Sequence, residues 1–129
     1  PPCSPASCDD GDPCTSDACT PVCTHDPKTG ADALTCAFRG GGLQVTACDG
    51  QKVPKVIGKQ FTAAGTQAAQ AAAATGKKAS KRARRALALL KQAEKAATKA
   101  KKISPDCRAA LLAPIRSARR GAESFLATR

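Results

Sequence analysis

Eight cysteines constrain this chain more than any other feature. They are Cys3, Cys8, Cys14, Cys19, Cys23, Cys36, Cys48 and Cys107. Seven precede residue 50, an odd number, so complete intrachain pairing requires Cys107 to bond back to the N-terminal half. Spacing alone cannot select the connectivity. Cys48 is the expected partner because it is the last cysteine before the helical half. A 48–107 link closes a loop of about 60 residues, worth roughly 4 kcal/mol in the chain-entropy model. The rival is an intermolecular bond through Cys107, which suits a covalent assembly.

A chain of 129 residues needs such staples because its apolar stock is small. It holds eight Leu, four Val, three Ile and three Phe, and no Trp, Tyr or Met. Most of its nominal 42% hydrophobic content is alanine and cysteine. With a net charge of +11, such a composition without cysteines would suggest disorder. Disulfides persist in oxidising compartments, and the chain has no methionine at which Pro1 could have been initiated. The expectation is therefore a mature secreted, extracellular chain whose signal peptide has been removed. No window is apolar enough to span a bilayer, since the uncharged run from Thr62 to Gly76 is alanine, glutamine, threonine and glycine. Asparagine is absent, which removes N-linked glycosylation.

Composition shifts near residue 58. Residues 1–58 carry seven Asp against four Lys and Arg, whereas residues 59–129 carry 17 Lys and Arg against three acids. Seven of the nine prolines lie in the first segment. The expected organisation is a cystine-rich module of loops and short strands over 1–58 and a basic, alanine-rich helical hairpin over 59–129.

Between Cys8 and Cys36 the chain reads C-DDGDP-C-TSDA-C-TPV-C-THDPKTGADALT-C. Spacers of three to five residues between cysteines leave no room for regular elements, and Asp-Gly, Asp-Pro and Thr-Gly pairs mark turns. Cys8, Asp9, Asp10, Gly11, Pro13, Cys14, Thr15, Asp17 and Cys19, followed by Cys23, His25 and Pro27, form a recognisable pattern. It resembles the C-D-D-G-x-P-C-T-x-D-x-C cysteine-rich repeat of large secreted bacterial proteins, especially myxobacterial ones. The segment between Cys19 and Cys23 is shorter than in the usual repeat. The resemblance spans about a quarter of the chain; it implies an extracellular disulfide-bonded module and no particular activity. Beyond it, Leu34–Phe38 and Leu43–Cys48 read as short strands around a hairpin turn at Arg39–Gly42. Val53–Ile57 reads as a third apolar run, confined to an edge by Pro54.

The second half has helical periodicity. Ala79, Ala83, Ala86, Leu90, Ala93, Ala97 and Ala100 share one face at 100° per residue, with Leu87 and Leu89 widening it. Lys77, Lys81, Arg84, Lys91, Lys95, Lys99 and Lys102 share the opposite face. Ser104-Pro105-Asp106 marks a fresh helix start, with an N-cap, a first-turn proline and an acid at the positive end. The last helix is expected over about 105–127, with Cys107, Leu111, Ile115, Ala118, Ala122 and Phe125 inward and Pro114 as a kink or early constraint. Gly76 either breaks the preceding helix, making a three-helix bundle, or weakens it by about 1 kcal/mol relative to alanine. Unbroken, a helix over 61–101 would be about 60 Å long and would outrun its partner. Its uncovered stripe would need the N-terminal module or another subunit.

Catalysis finds little support. His25 is the one histidine, no His pair has metal-ligand spacing and no Ser-His-Asp set is evident, so a non-enzyme is expected. Zinc on Cys14, Cys19, Cys23 and His25 would lack C-x-x-C spacing and require reduced thiols. Asp9, Asp10, Asp12 and Asp17 could supply oxygen ligands for calcium, although the D-x-D-x-D-G order and a bidentate Glu are missing. Aspartate also suits tight turns on backbone grounds alone. The basic series Lys77, Lys81, Arg84, Arg85, Lys91, Lys95 and Lys99 could bind a polyanion: DNA, an acidic polysaccharide or an anionic surface. Without interleaved aromatics it would hold phosphates or sulfates and be salt-sensitive. A merely solvated helix face is the plain alternative.

Two functions follow as expectations. The first is a secreted structural protein that self-assembles into an oligomer or filament, its acidic head meeting the basic tail of the next copy in a heterologous contact. The second is a secreted polyanion-binding protein that uses the basic helix.

Overall fold

Two left-handed glycines punctuate the helices that this chain forms. The computed structural model describes residues 7–8, 14–19, 22–38, 43 and 46–127. Strands β1 (Thr15–Cys19) and β2 (Cys23–Pro27) precede a short helix α1 (Gly30–Thr35), and a 3-10 turn covers Cys36–Phe38. A second 3-10 turn, Thr46–Cys48, leads to three long helices: α2 (Lys55–Ala73), α3 (Gly76–Lys99) and α4 (Pro105–Ala127). Gly30 and Gly76 open α1 and α3 at φ +62°, a conformation that glycine adopts without steric cost.

The long helical pattern divides where Gly76 stands. Ala74 and Thr75 are extended, and the direction of the chain reverses between α2 and α3. The result is the three-helix bundle, not a single helix over 61–101, so the overhang expected from such a helix does not exist. Inter-helix hydrogen bonds mark the antiparallel registers. Gln60 Nε2 donates to Gln92 Oε1 (3.1 Å), and Arg82 Nη1 to Gln67 Oε1 (3.3 Å), between α2 and α3. Arg116 and Arg119 of α4 reach Glu94 of α3. Helix α3 takes the central place, packing along α2 on one side and α4 on the other.

The inward faces are those that the periodicity marks. Ala79, Ala83, Ala86, Leu90, Ala93 and Ala97 are buried on α3, and Cys107, Leu111, Ile115, Ala118, Ala122 and Phe125 on α4. Ala64, Ala68 and Ala71 with Ile57 and Phe61 form the α2 face. Alanine allows the α2 and α3 backbones to approach closely, but each methyl group contributes only about 0.8 kcal/mol of burial. Larger side chains concentrate toward the N-terminal segment, where Leu34 and Cys48 join the same buried cluster as Ile57, Phe61 and Leu111. The rings of Phe38 and Phe61 lie 4.8 Å apart at 46°. The charge boundary at residue 58 therefore falls within α2.

The strands lie elsewhere than expected. Leu34–Phe38 is helical and 3-10, Thr46–Cys48 is a 3-10 turn, and Val53–Ile57 runs into the first turn of α2 behind Pro54. Short apolar runs have the same appearance in either state, and burial against α4 and α2 selects the helix here. The turn expected at Arg39–Gly42 lies outside the described residues. The one described sheet is instead the antiparallel pair β1–β2, with Asp17 opposite His25 and Cys19 opposite Cys23. It occupies the stretch where cysteine spacing suggested only loops. Its alternating Thr15, Asp17 and Cys19 are partly covered, whereas Ser16 and Ala18 are exposed.

Covalent and polar ties hold this segment to the bundle. Disulfides join Cys8–Cys23, Cys14–Cys36 and Cys48–Cys107, and Cys19 is also disulfide-bonded. Beside the Cys48–Cys107 bond, Ser104 caps α4: its Oγ accepts the Cys107 N–H (3.1 Å). Gln51 completes the cap from another part of the chain. Its Oε1 accepts the Ser104 N–H (2.6 Å), and its Nε2 donates to Ser104 Oγ (3.0 Å). This supplies the second half of a capping box, which a local glutamate usually provides. At the other side of the turn, the Arg108 guanidinium donates to the Ala97 and Ala100 carbonyls, satisfying the end of α3. Helix α4 continues through Pro114.

Candidate anion-binding face

The solvent side of α3 follows from its sequence. With alanine and leucine turned inward every three or four residues, the long cationic side chains between them have only the outside to occupy. Lys77, Lys81, Arg84, Arg85, Lys91, Lys95 and Lys99 are all exposed. They lie within one stripe that runs about 33 Å along the axis, at 1.5 Å per residue. Ala88 and Gln92 are exposed uncharged positions within it. Lys102 is exposed just beyond the helix. At the N-terminal end, Lys77, Ser80, Lys81 and Arg84 line a shallow depression floored by Leu126 of α4.

This stripe has no internal counter-charge among the described residues. The single carboxylate of α3, Glu94, is turned toward α4. Its Oε2 accepts from Arg119 Nη1 (2.7 Å) and its Oε1 from Arg116 Nε (3.3 Å). Arg119 Nε also donates to Glu123 (2.9 Å). The Arg119 hydrogen bond holds the Glu94 carboxyl below the usual carboxylate range, against an opposing push from burial. Glu94 and Glu123 hold the Arg119 guanidinium above its usual value. Sequence periodicity missed this network because its members come from two helices. A signal existed nevertheless: Glu94 is the sole carboxylate between Asp49 and Asp106.

The other residues singled out from sequence fall as follows. Asp9, Asp10 and Asp12, the aspartates of the calcium reading, lie outside the described residues. Asp17 is engaged within the hairpin: its Oδ1 lies 2.7 Å from His25 Nδ1 and accepts from Thr15 Oγ1 at 3.3 Å. Among the described residues, no group of three or more His, Cys, Asp or Glu is arranged to hold a metal ion. Cys14, Cys19 and Cys23, which a zinc set would need as thiolates, are all disulfide-bonded. Cys3 lies outside the described residues. No described helix is long and apolar enough to cross a membrane.

Geometry thus defines a cystine-stapled three-helix protein with one strongly cationic helix face. The chain matches no family model, and neither a curated protein nor a solved structure shows significant similarity to it.

Proposed function

We propose that this protein is an extracellular binding module that holds linear polyanions, such as a sulfated polysaccharide or a nucleic acid, along the outer face of α3. The observation that carries this reading is the disposition of charge on one helix. Eight cations of α3 are exposed, Lys78 among them, while its only acid turns toward α4 and is neutralised by two arginines there. A cationic face that is simply solvated would gain from scattered acids at helical i, i+4 spacing; this one has none. The ligand contacts would be to phosphate or sulfate groups, since aromatic side chains for base stacking are absent from α3. The disulfides support an oxidising, extracellular setting.

A salt titration on immobilised heparin and on duplex DNA tests the reading. Affinity should fall steeply with salt, with a log–log slope that drops by about 0.7–0.9 for each nucleic-acid phosphate contact removed. The combined variant K77Q/K81Q/R84Q/R85Q should lose most of its retention while keeping its helical circular dichroism. Retention equal to that of the wild type would refute it.

Self-assembly stands as a second proposal on a narrower footing. The removal of the helix overhang takes away its packing argument. Its remaining support is charge: Asp26, Asp32 and Asp49 are exposed on the N-terminal segment, opposite in sign to the α3 stripe. Sedimentation at low salt distinguishes it, because assembly of this kind requires association that D26N/D32N/D49N abolishes.

A further inference from the structure

The N-terminal segment and α4 border a half-open cleft of about 410 Å³ that the polyanion reading does not use. On the α4 side it is lined by Ser117, Arg120, Gly121 and Ser124, which recur at i, i+3, i+4 and i+7 and so share one helix face. Gly121 is required there. A Cβ at this position would fall 1.9 Å from the Ala33 carbonyl oxygen, so only glycine lets α1 approach α4 and form the cleft. The opposite wall is the Cys14–Cys36 disulfide, with Thr15, Ala33 and Lys28. Lys28 is anchored beside that disulfide, because its backbone N–H donates to the Cys14 carbonyl at 2.9 Å.

The charge of this lining is one-sided. Lys28 and Arg120 come from the two parts of the chain and border the same space, and among the described residues no carboxylate lines it. Neither forms an ion pair with a described residue. Glu123, the acid nearest to Arg120 in α4, is held by Arg119. Two like charges facing one cavity are stabilised when an anion sits between them. The hydroxyls of Ser117 and Ser124 add donors, and the disulfide, Ala33 and Gly121 add apolar wall. A concave volume of this size with a few convergent polar groups on an apolar surface has the general attributes of a small-molecule site.

We propose that this cavity binds one small oxyanion ester, a phosphate or sulfate monoester. Its charged group sits between Lys28 and Arg120, and its compact apolar body rests against the disulfide wall. The site is independent of the α3 stripe, with which it shares no residue.

The test is an amide NMR titration of the full-length oxidised chain, with inorganic phosphate and phenyl phosphate as probes. Saturable shifts are expected at Lys28, Ser117, Gly121 and Ser124. Phenyl phosphate should bind more tightly than phosphate because its ring buries apolar area. Lys28→Gln and Arg120→Gln should each weaken phenyl phosphate about tenfold, the usual effect of losing one charge-assisted hydrogen bond. Lys95→Gln, on the α3 stripe, should leave it unchanged. Spectra that match the wild type away from the cavity establish that the variants fold. Non-saturating shifts, shifts confined to α3, or K28Q and R120Q affinities equal to the wild type would each overturn the proposal.

Discussion

The N-terminal segment and the helical bundle make up for the same shortage of large apolar residues by different means. Residues 7–48 bury few bulky side chains, Leu34 foremost among them, and rely on cystines. Residues 55–127 contain a single cysteine and rely on repeated, closely packed alanines. A disulfide acts mainly by restricting the unfolded chain, whereas alanine packing acts through native contacts that exist only when two helices come close. The two regions should therefore fail under different insults, chemical reduction for one and steric overpacking for the other. The Cys48–Cys107 bond and the Phe38–Phe61 contact join them.

The strongest test of this contrast is the joining bond itself. It spans 59 residues of sequence, so C48A/C107A should lose roughly 4 kcal/mol. Urea denaturation followed by circular dichroism should show one lower midpoint for the whole helical signal. C14A/C36A should cost about 3 kcal/mol by the same arithmetic, but locally: amide exchange should accelerate in residues 22–38 while α2 and α3 keep their protection. Equal, global effects from both pairs would mean that the regions fold as one cooperative unit and would remove the distinction.

Next in size is Gly121→Ala. The added methyl group collides with the Ala33 carbonyl, and backbone atoms cannot yield as a flexible side chain would. A cost of about 3 kcal/mol is expected, at the upper end for overpacking. Limited proteolysis should cut around α1 while the bundle survives. Ala83→Leu tests the other side. Ala83 is fully buried on α3, so the extra carbons should separate helices and cost about 2 kcal/mol. Here the bundle should lose amide protection, and the disulfide-held β1–β2 hairpin should keep it. A neutral Ala83→Leu would show that the alanine face is loosely packed.

What the sequence made legible depended on how local the governing physics was. The inward face of α3 and the outward run of Lys and Arg follow from a 3.6-residue period within one helix. The start of α4 was legible from Ser104, Pro105 and Asp106, although its second capping partner, Gln51, was not, because it arrives from 53 residues away. Gly76 left two architectures open because a helix can absorb the roughly 1 kcal/mol cost of glycine when packing rewards continuity. The α2 face formed by Ala64, Ala68 and Ala71 resolves the matter, since it is satisfied only by folding back on α3. The strands were misplaced for a related reason. Val53–Ile57 and Leu34–Phe38 are too short for periodicity to distinguish helix from strand, while the true hairpin is set by the cross-strand partners of Cys19 and Asp17. Within the candidate sites, the stripe was visible residue by residue. The Glu94 network and the Lys28–Arg120 cavity were not, because both join elements distant in sequence, the latter beside the Cys14–Cys36 bond.

The smallest expected effect concerns Glu94, whose network belongs to the bundle alone. The hydrogen bond from Arg119, followed by that from Arg116, lowers the folded-state pKa of Glu94 below its unfolded value. A carboxylate depressed in this way contributes stability that is complete above the unfolded pKa, and that is lost as pH falls through the folded one. The pairs are partly exposed: the Glu94 side chain keeps 19% of its accessibility, and those of Arg116 and Arg119 keep 55% and 37%. Solvent screening therefore limits the contribution to about 0.5–1 kcal/mol. Glu94→Gln should be less stable than the wild type by that amount at neutral pH, and the difference should shrink progressively below about pH 4.5. Moderate salt should reduce it as well. Paired urea titrations of the two proteins from neutral to acid pH measure the difference directly. A difference that stays constant through the acid range would assign the loss to packing of the glutamate stem instead of its charge. The inward pull on the one acid of α3 would then have no energetic part in leaving the outer face of that helix uniformly cationic.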